Sequence, residues 1–177
     1  MSNHSQPVVH GIEHIGITVP DLEAASRFFV DAFGAEILFD NITRDAPMEG
    51  EHLAEIFGVP TATRAFASRF LRLANGPGIE LLEIVAPEQH PAARPSDFGL
   101  QHIALYVDDM TAAAERFQAA GGQMRTGPKP LVRHEAGVGN AFWYGVTPWG
   151  TSIELITSPS PQAYEESTPA RRWRPAR

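Results

Sequence analysis

Residues 12–34 read IEHIGITVPDLEAASRFFVDAFG, and residues 100–121 read LQHIALYVDDMTAAAERFQAAG. Both hold a short apolar run with a histidine third in line, then an aspartate, then an amphipathic stretch that ends at glycine. A second pair of segments follows the same logic. Residues 76–85, GPGIELLEIV, resemble residues 150–157, GTSIELIT, and each contains Ile-Glu-Leu. Self-similarity on this scale is the mark of a duplicated structural unit. His14 therefore corresponds to His102, and Glu80 to Glu154. The first copy is longer by one short element, which is assigned to residues 45–60, DAPMEGEHLAEIFGVP, a turn of helix between loops.

Each copy reads as βαβββ. Residues 12–19 are mostly apolar and β-branched, as a buried strand requires. Asp21 is placed to cap a helix whose apolar positions Leu22, Ala25, Phe28, Phe29, Ala32 and Phe33 follow the 3.6-residue period, and Gly34 ends it. In the second copy Asp109 is the cap, Met110, Ala113, Ala114, Phe117 and Ala120 face inward, and Gly121-Gly122 is the stop. Three strands are expected after each helix, near 35–42, 64–74 and 78–86, then near 123–126, 140–147 and 151–157. The turns Asn75-Gly76-Pro77-Gly78 and Thr147-Pro148-Trp149-Gly150 separate the last two strands of each copy. The expected fold class is α+β, with two tandem βαβββ modules making an open, U-shaped mixed sheet around a cavity. The expected divisions are an N-terminal tail (1–9), a first module (10–87), a Pro-rich linker (88–97), a second module (98–158) and a Pro/Arg-rich tail (159–177). Composition denies the tail a core, although Tyr164 and Trp173 could anchor it to the body or to a second subunit.

Alternation along a strand decides which side chains share a face. His14 lies with Ile12, Gly16 and Thr18, and His102 with Leu100, Ala104 and Tyr106. Glu80 lies with Leu82 and Ile84, and Glu154 with Ser152 and Ile156. A carboxylate on an apolar face is costly unless it is paired or metal-bound. Each copy thus offers one imidazole and one carboxylate, and two such sets could converge on one cation. A lone strand histidine is more often a hydrogen-bonded core residue, and Ile-Glu-Leu alone is close to noise. The joint recurrence carries the weight. Glu83 is the rival to Glu80, but it reads as a solvated outer-face residue. With no cysteine in the chain, an imidazole and carboxylate set suits a divalent Ni, Co, Mn, Fe or Zn ion.

The segments EHIGITVPDLEAASRFF, PGIELLEI, QHIALYVDDMTAAAERF and PWGTSIELI make the chain resemble the vicinal oxygen chelate superfamily over residues 10–158. That superfamily includes glyoxalase I, methylmalonyl-CoA epimerase, extradiol dioxygenases and bleomycin-resistance proteins. The resemblance implies one divalent metal ion per site, held by His14, Glu80, His102 and Glu154. It implies a glyoxalase I-like lyase or acyl-CoA epimerase-like isomerase that binds vicinal oxygens of a small oxo- or hydroxy-acyl substrate. A proton would then move through an enediolate, with Glu154 or Glu80 as the base. The alternatives are a metal-free drug-sequestering protein of the bleomycin-resistance type, with Trp143, Trp149 and Tyr106 as stacking surfaces, or a small dioxygenase.

Substrate contacts are expected from Arg69, Arg72, His134, Trp143 and Tyr106. Arg69 and Arg72 fall on opposite faces of their strand, so at most one points inward. Of Trp143 and Tyr144, one lines the cavity and the other packs outside. The formal charge of −7, from 14 basic and 21 acidic residues, argues against nucleic-acid binding. Nothing approaches the roughly 18 apolar residues of a membrane helix, and the first residues lack the pattern of a secretory signal. A cytoplasmic homodimer acting on a small molecule is the expectation. The last 20 residues carry four arginines against Glu165 and Glu166, so the body is more acidic than the whole.

Overall fold

A computed structural model describes residues 9–176, so most of the expected N-terminal tail (1–9) lies outside the described residues. The described residues form two mixed five-stranded sheets with three α-helices and two one-turn helices. In the first sheet β1 (His14–Val19) runs parallel to β5 (Gly78–Val85), which is antiparallel to β4 (Arg64–Arg72). That strand pairs in turn with β2 (Glu36–Ile42) and with the short β3 (Met48–Glu49). The second sheet repeats the order. Its β6 (Ile103–Tyr106) is parallel to β10 (Ser152–Thr157), which pairs with β9 (Ala141–Val146), flanked by β7 (Gln123–Met124) and β8 (Lys129–Pro130). The duplication visible in sequence is thus a duplication of topology, tandem βαβββ modules.

Helix α1 (Leu22–Phe33) starts where Asp21 accepts from the Ala24 N–H at 2.8 Å, and stops at Gly34, whose φ of 67° a side chain would disfavour. Helix α3 (Met110–Ala119) is capped by Asp109, which accepts from the Thr111 and Ala112 N–H groups. Leu22, Ala25, Phe28, Phe29 and Ala32 are buried as the period requires, while Phe33 is only partly covered. The two helices meet. Phe28 packs edge-on against Phe117 with centroids 5.2 Å apart, and Trp149 packs on Phe28 at the same distance. One apolar cluster therefore runs through both modules, each buried Phe contributing about 1.5–3 kcal/mol.

Residues 45–60 hold β3 and the helix α2 (Gly50–Phe57). Leu53 of α2 packs with Ile42, Ala65 and Ile84 in a second, smaller cluster. A register shift between Ala65 and Ala67 turns Ala65 to the same face as Ile84. The insert thus covers the far end of the face that carries Glu80.

Glu83 departs from its expected place in solvent. It is buried, because the other face of β5 lies under α1. Its carboxylate accepts from the Leu22 N–H at 3.0 Å and receives Arg44 Nη2 at 2.7 and 2.8 Å. It is a paired charge at a helix start. Among the described residues, no helix is long and apolar enough to cross a membrane.

Candidate metal centre and substrate face

The parallel pairing places the two matched residues of each module side by side. Gly16 is opposite Glu80 in the first sheet, and Ala104 is opposite Glu154 in the second. His14 Nε2 lies 3.6 Å from Glu80, and His102 Nε2 lies 3.1 Å from Glu154. The side chains keep partial access to solvent, 40% and 19% for the first pair and 27% and 12% for the second.

The other ring nitrogen of each histidine is occupied. His14 Nδ1 meets the carboxylate of Glu13, and His102 Nδ1 meets Gln101 Oε1 at 2.7 Å. An acceptor at Nδ1 suits the tautomer that carries its proton there, which is the one a metal-ligating Nε2 needs. Sequence reasoning missed Glu13 and Gln101. Their signal lies in the dipeptides Glu-His and Gln-His, the same place in both copies.

Behind each histidine stands an aromatic ring at the same register position. Phe70 is opposite Glu80 and Tyr144 is opposite Glu154. Phe70 meets His14 edge-on at 5.2 Å, and Tyr144 meets His102 edge-on at 5.2 Å. Gly78 is required by this packing, because a Cβ there would lie 2.5 Å from the Phe70 ring. Burial, then the negative charge of Glu154, push the Tyr144 hydroxyl up to about 12. It stays a proton donor at neutral pH.

Each pair has the chemistry of half a metal site: one nitrogen, one carboxylate oxygen and a held second nitrogen. The four donors do not gather within the chain. Among the described residues, no group of three or more His, Cys, Asp or Glu side chains is placed to hold one ion.

The expected substrate contacts divide. Tyr106 shares the face of His102, as alternation requires, and its hydroxyl donates to the Trp173 carbonyl at 3.2 Å. Arg72 shares the face of Phe70 and Glu80 but pairs with Glu36 at 2.6 Å. Arg69 lies on the opposite face, against α1. Its guanidinium holds Asp40 at 2.6 Å, Glu23 at 2.9 Å and Ser26 at 3.2 Å, so it ties a helix to its sheet. Trp143 also points away from the pairs. It packs into the shared core, and its Nε1–H donates to the Arg125 carbonyl at 2.7 Å. Tyr144, not Trp143, is the aromatic residue at the pair. His134 sits exposed in the one-turn helix Arg133–Glu135.

Comparison with known proteins agrees with the duplicated topology. Residues 13–142 match the Glyoxalase/Bleomycin resistance protein/Dioxygenase superfamily. A 2-epi-5-epi-valiolone epimerase from an Actinomyces species is 34% identical over 177 residues, covering 99% of this chain and 94% of that protein. A glyoxalase family protein from Bacillus cereus has a similar structure, with a TM-score of 0.65 at 17% identity, over 89% of this chain and 98% of the other. A point mutant of the fosfomycin resistance protein FosX from Listeria monocytogenes, solved with Mn(II) and 1S,2S-dihydroxypropylphosphonic acid, gives a TM-score of 0.58. Its identity is 18%, over 91% of this chain and all of that one. The likeness to solved structures concerns the fold, whereas the relative from Actinomyces matches along the sequence itself. With both modules matched in order and topology, this chain belongs to the glyoxalase/bleomycin resistance/dioxygenase superfamily.

Proposed function

We propose that the chain is a divalent-metal-dependent epimerase of the glyoxalase type, inverting a carbon beside a carbonyl in a small hydroxylated substrate. The observation that carries this reading is the repeated pair, His14 with Glu80 and His102 with Glu154, each imidazole held at Nδ1 and turned by Nε2 toward its carboxylate. The kinship over nearly the whole length with a 2-epi-5-epi-valiolone epimerase supports it. In this reading the two pairs supply four ligands to one ion, and a homodimer brings the first half-site of one protomer to the second half-site of its partner. The ion, when bound, would polarise adjacent oxygens of the substrate and acidify the neighbouring C–H.

The rest is the work of side chains. Glu80 and Glu154 end on the face where substrate would lie, so one carboxylate takes the proton and the other can return it to the opposite side of the carbon. Tyr144, protonated beside Glu154, donates to developing negative charge on that side. The aromatic edges of Phe70 and Tyr144 hold the imidazoles in orientation.

The test is complementation. His14→Ala and His102→Ala should each lose bound metal and epimerisation of 2-epi-5-epi-valiolone. Random pairing of equal amounts of the two variants should restore roughly one quarter of wild-type activity, because half the dimers are mixed and each mixed dimer keeps one intact site. Wild-type protein with no metal and full activity would sink the metal-dependent reading. Metal loss in both variants without any restoration would place all four ligands in one protomer.

A further inference from the structure

The segment after β10 does not trail away. The one-turn helix Ala163–Glu166 packs beside Arg133–Glu135, and residues 171–176 then cross to the first module. Arg172 pairs with Glu135 and its backbone N–H donates to the Tyr164 hydroxyl at 2.9 Å. Trp173 leans on Tyr106, with ring centroids 6.2 Å apart, while its carbonyl accepts from the Tyr106 hydroxyl. The Ala176 carbonyl accepts from Asn75 at 3.3 Å, and a Cβ on Gly76 would meet the Trp173 ring at 4.0 Å.

These contacts run the strap from the strand that follows His102 to the turn that precedes the register partner of His14. Tyr106 is on the His102 face of β6, and the turn at 75–76 leads directly into Gly78, the register partner of His14. Trp173 is 57% exposed, so much of its ring is uncovered. The strap's arginines have carboxylate neighbours outside it: Arg171 and Arg174 share Glu165 at 3.7 and 3.3 Å, and Arg172 pairs with Glu135. The part of the strap that meets the second sheet is the Trp173 ring and its carbonyl, on the ring and hydroxyl of Tyr106. An uncharged ring suits that surface. Its C–H face can lie on an aromatic ring, and its hydroxyls can reach the Tyr106 oxygen and the strap's carbonyls.

We propose that residues 171–176 form a wall of the substrate site, with Trp173 and Tyr106 as an aromatic platform for an uncharged, polyhydroxylated ring. The proposal rests on the epimerase reading for its choice of substrate class. The surface ion pairs that hold the strap are individually weak, so it opens locally at little cost and closes when the platform is occupied.

The experiment uses full-length protein loaded with Mn(II) and 2-epi-5-epi-valiolone as the probe. Trp173→Ala should raise KM about three- to tenfold with kcat within about twofold, and Trp173→Phe should recover most of the loss. Metal content should not change in either variant. The probe should also slow tryptic cleavage after Arg171 and Arg172 in the wild type. An unchanged KM in Trp173→Ala, or cleavage at the same rate with and without probe, overturns the wall. Wild-type protein that neither takes up Mn(II) nor turns over the probe overturns the epimerase reading instead. The cleavage comparison, which needs no turnover, still judges the strap in that case.

Discussion

Replacing Glu83 by alanine removes three hydrogen bonds at once, one from the Leu22 N–H and two from Arg44. The two losses differ in kind. The Leu22 N–H sits at the first turn of α1 under a buried side chain, and leaving such a donor unpaired costs about 1–3 kcal/mol. The Arg44 side chain is 59% exposed and can return to water, so losing its pairing costs only about 1 kcal/mol. The sum for Glu83→Ala is then roughly 2–4 kcal/mol, before any cavity left by the lost side chain. At about 2–4 °C per kcal/mol for a chain of this size, Tm should fall by roughly 5–15 °C. Glu83→Gln keeps an acceptor for Leu22 and loses mainly the charge, so its Tm should fall by only about 2–4 °C. Calorimetric melting of the three proteins checks the ordering. A Glu83→Ala protein melting within about 2 °C of wild type would refute the reasoning, as would a glutamine variant as unstable as the alanine variant.

Two further outcomes are expected. The Arg69 guanidinium holds the Asp40 carboxyl below its ordinary value of 3.8. A group depressed in the folded state adds stability above that value and loses it as pH falls below. Arg69→Met should therefore flatten the acid side of the stability profile, and urea melts between pH 5 and pH 2, in about one-unit steps, read this directly. Gln101→Ala removes the acceptor at His102 Nδ1 without touching β6. It should weaken metal binding about tenfold, at the low end for such partners because water can replace an exposed amide. Chelator competition measures the affinity, and unchanged binding would show that Gln101 does not orient the ring.

The repeat makes the fold legible, since matched strands, caps and glycine stops recur in order. The His–Glu pairs are legible for the same reason: two weak signals coincide twice. Assignment of side is harder. Alternation says that Arg69 and Arg72 oppose one another, but only helix packing says which of the two faces α1. The same limit puts Trp143 among the expected contacts, where the register with β10 places Tyr144 instead. Glu83 reads as solvated because its partner, Arg44, lies 39 residues away on a connecting segment with no periodic signal. The strap is legible in its anchors, Tyr164 and Trp173, but not in its path. A Pro/Arg-rich sequence cannot make a core, yet its two aromatic residues, with ion pairs to Glu135 and Glu165, lay it along the body.

Each His–Glu pair joins the first strand of its module to the last, through a parallel pairing. That sets an order of assembly. The antiparallel strands β2, β4 and β5 can find one another through shorter separations, whereas β1 must wait for β5 to be made. At ordinary synthesis rates the wait is on the order of ten seconds. His14 therefore docks late, and a chain stalled short of that step has Glu80 without its imidazole. The His–Glu pair is thus a closing joint, and under the proposed function a metal ion taken up there would discriminate finished protein from nearly finished protein.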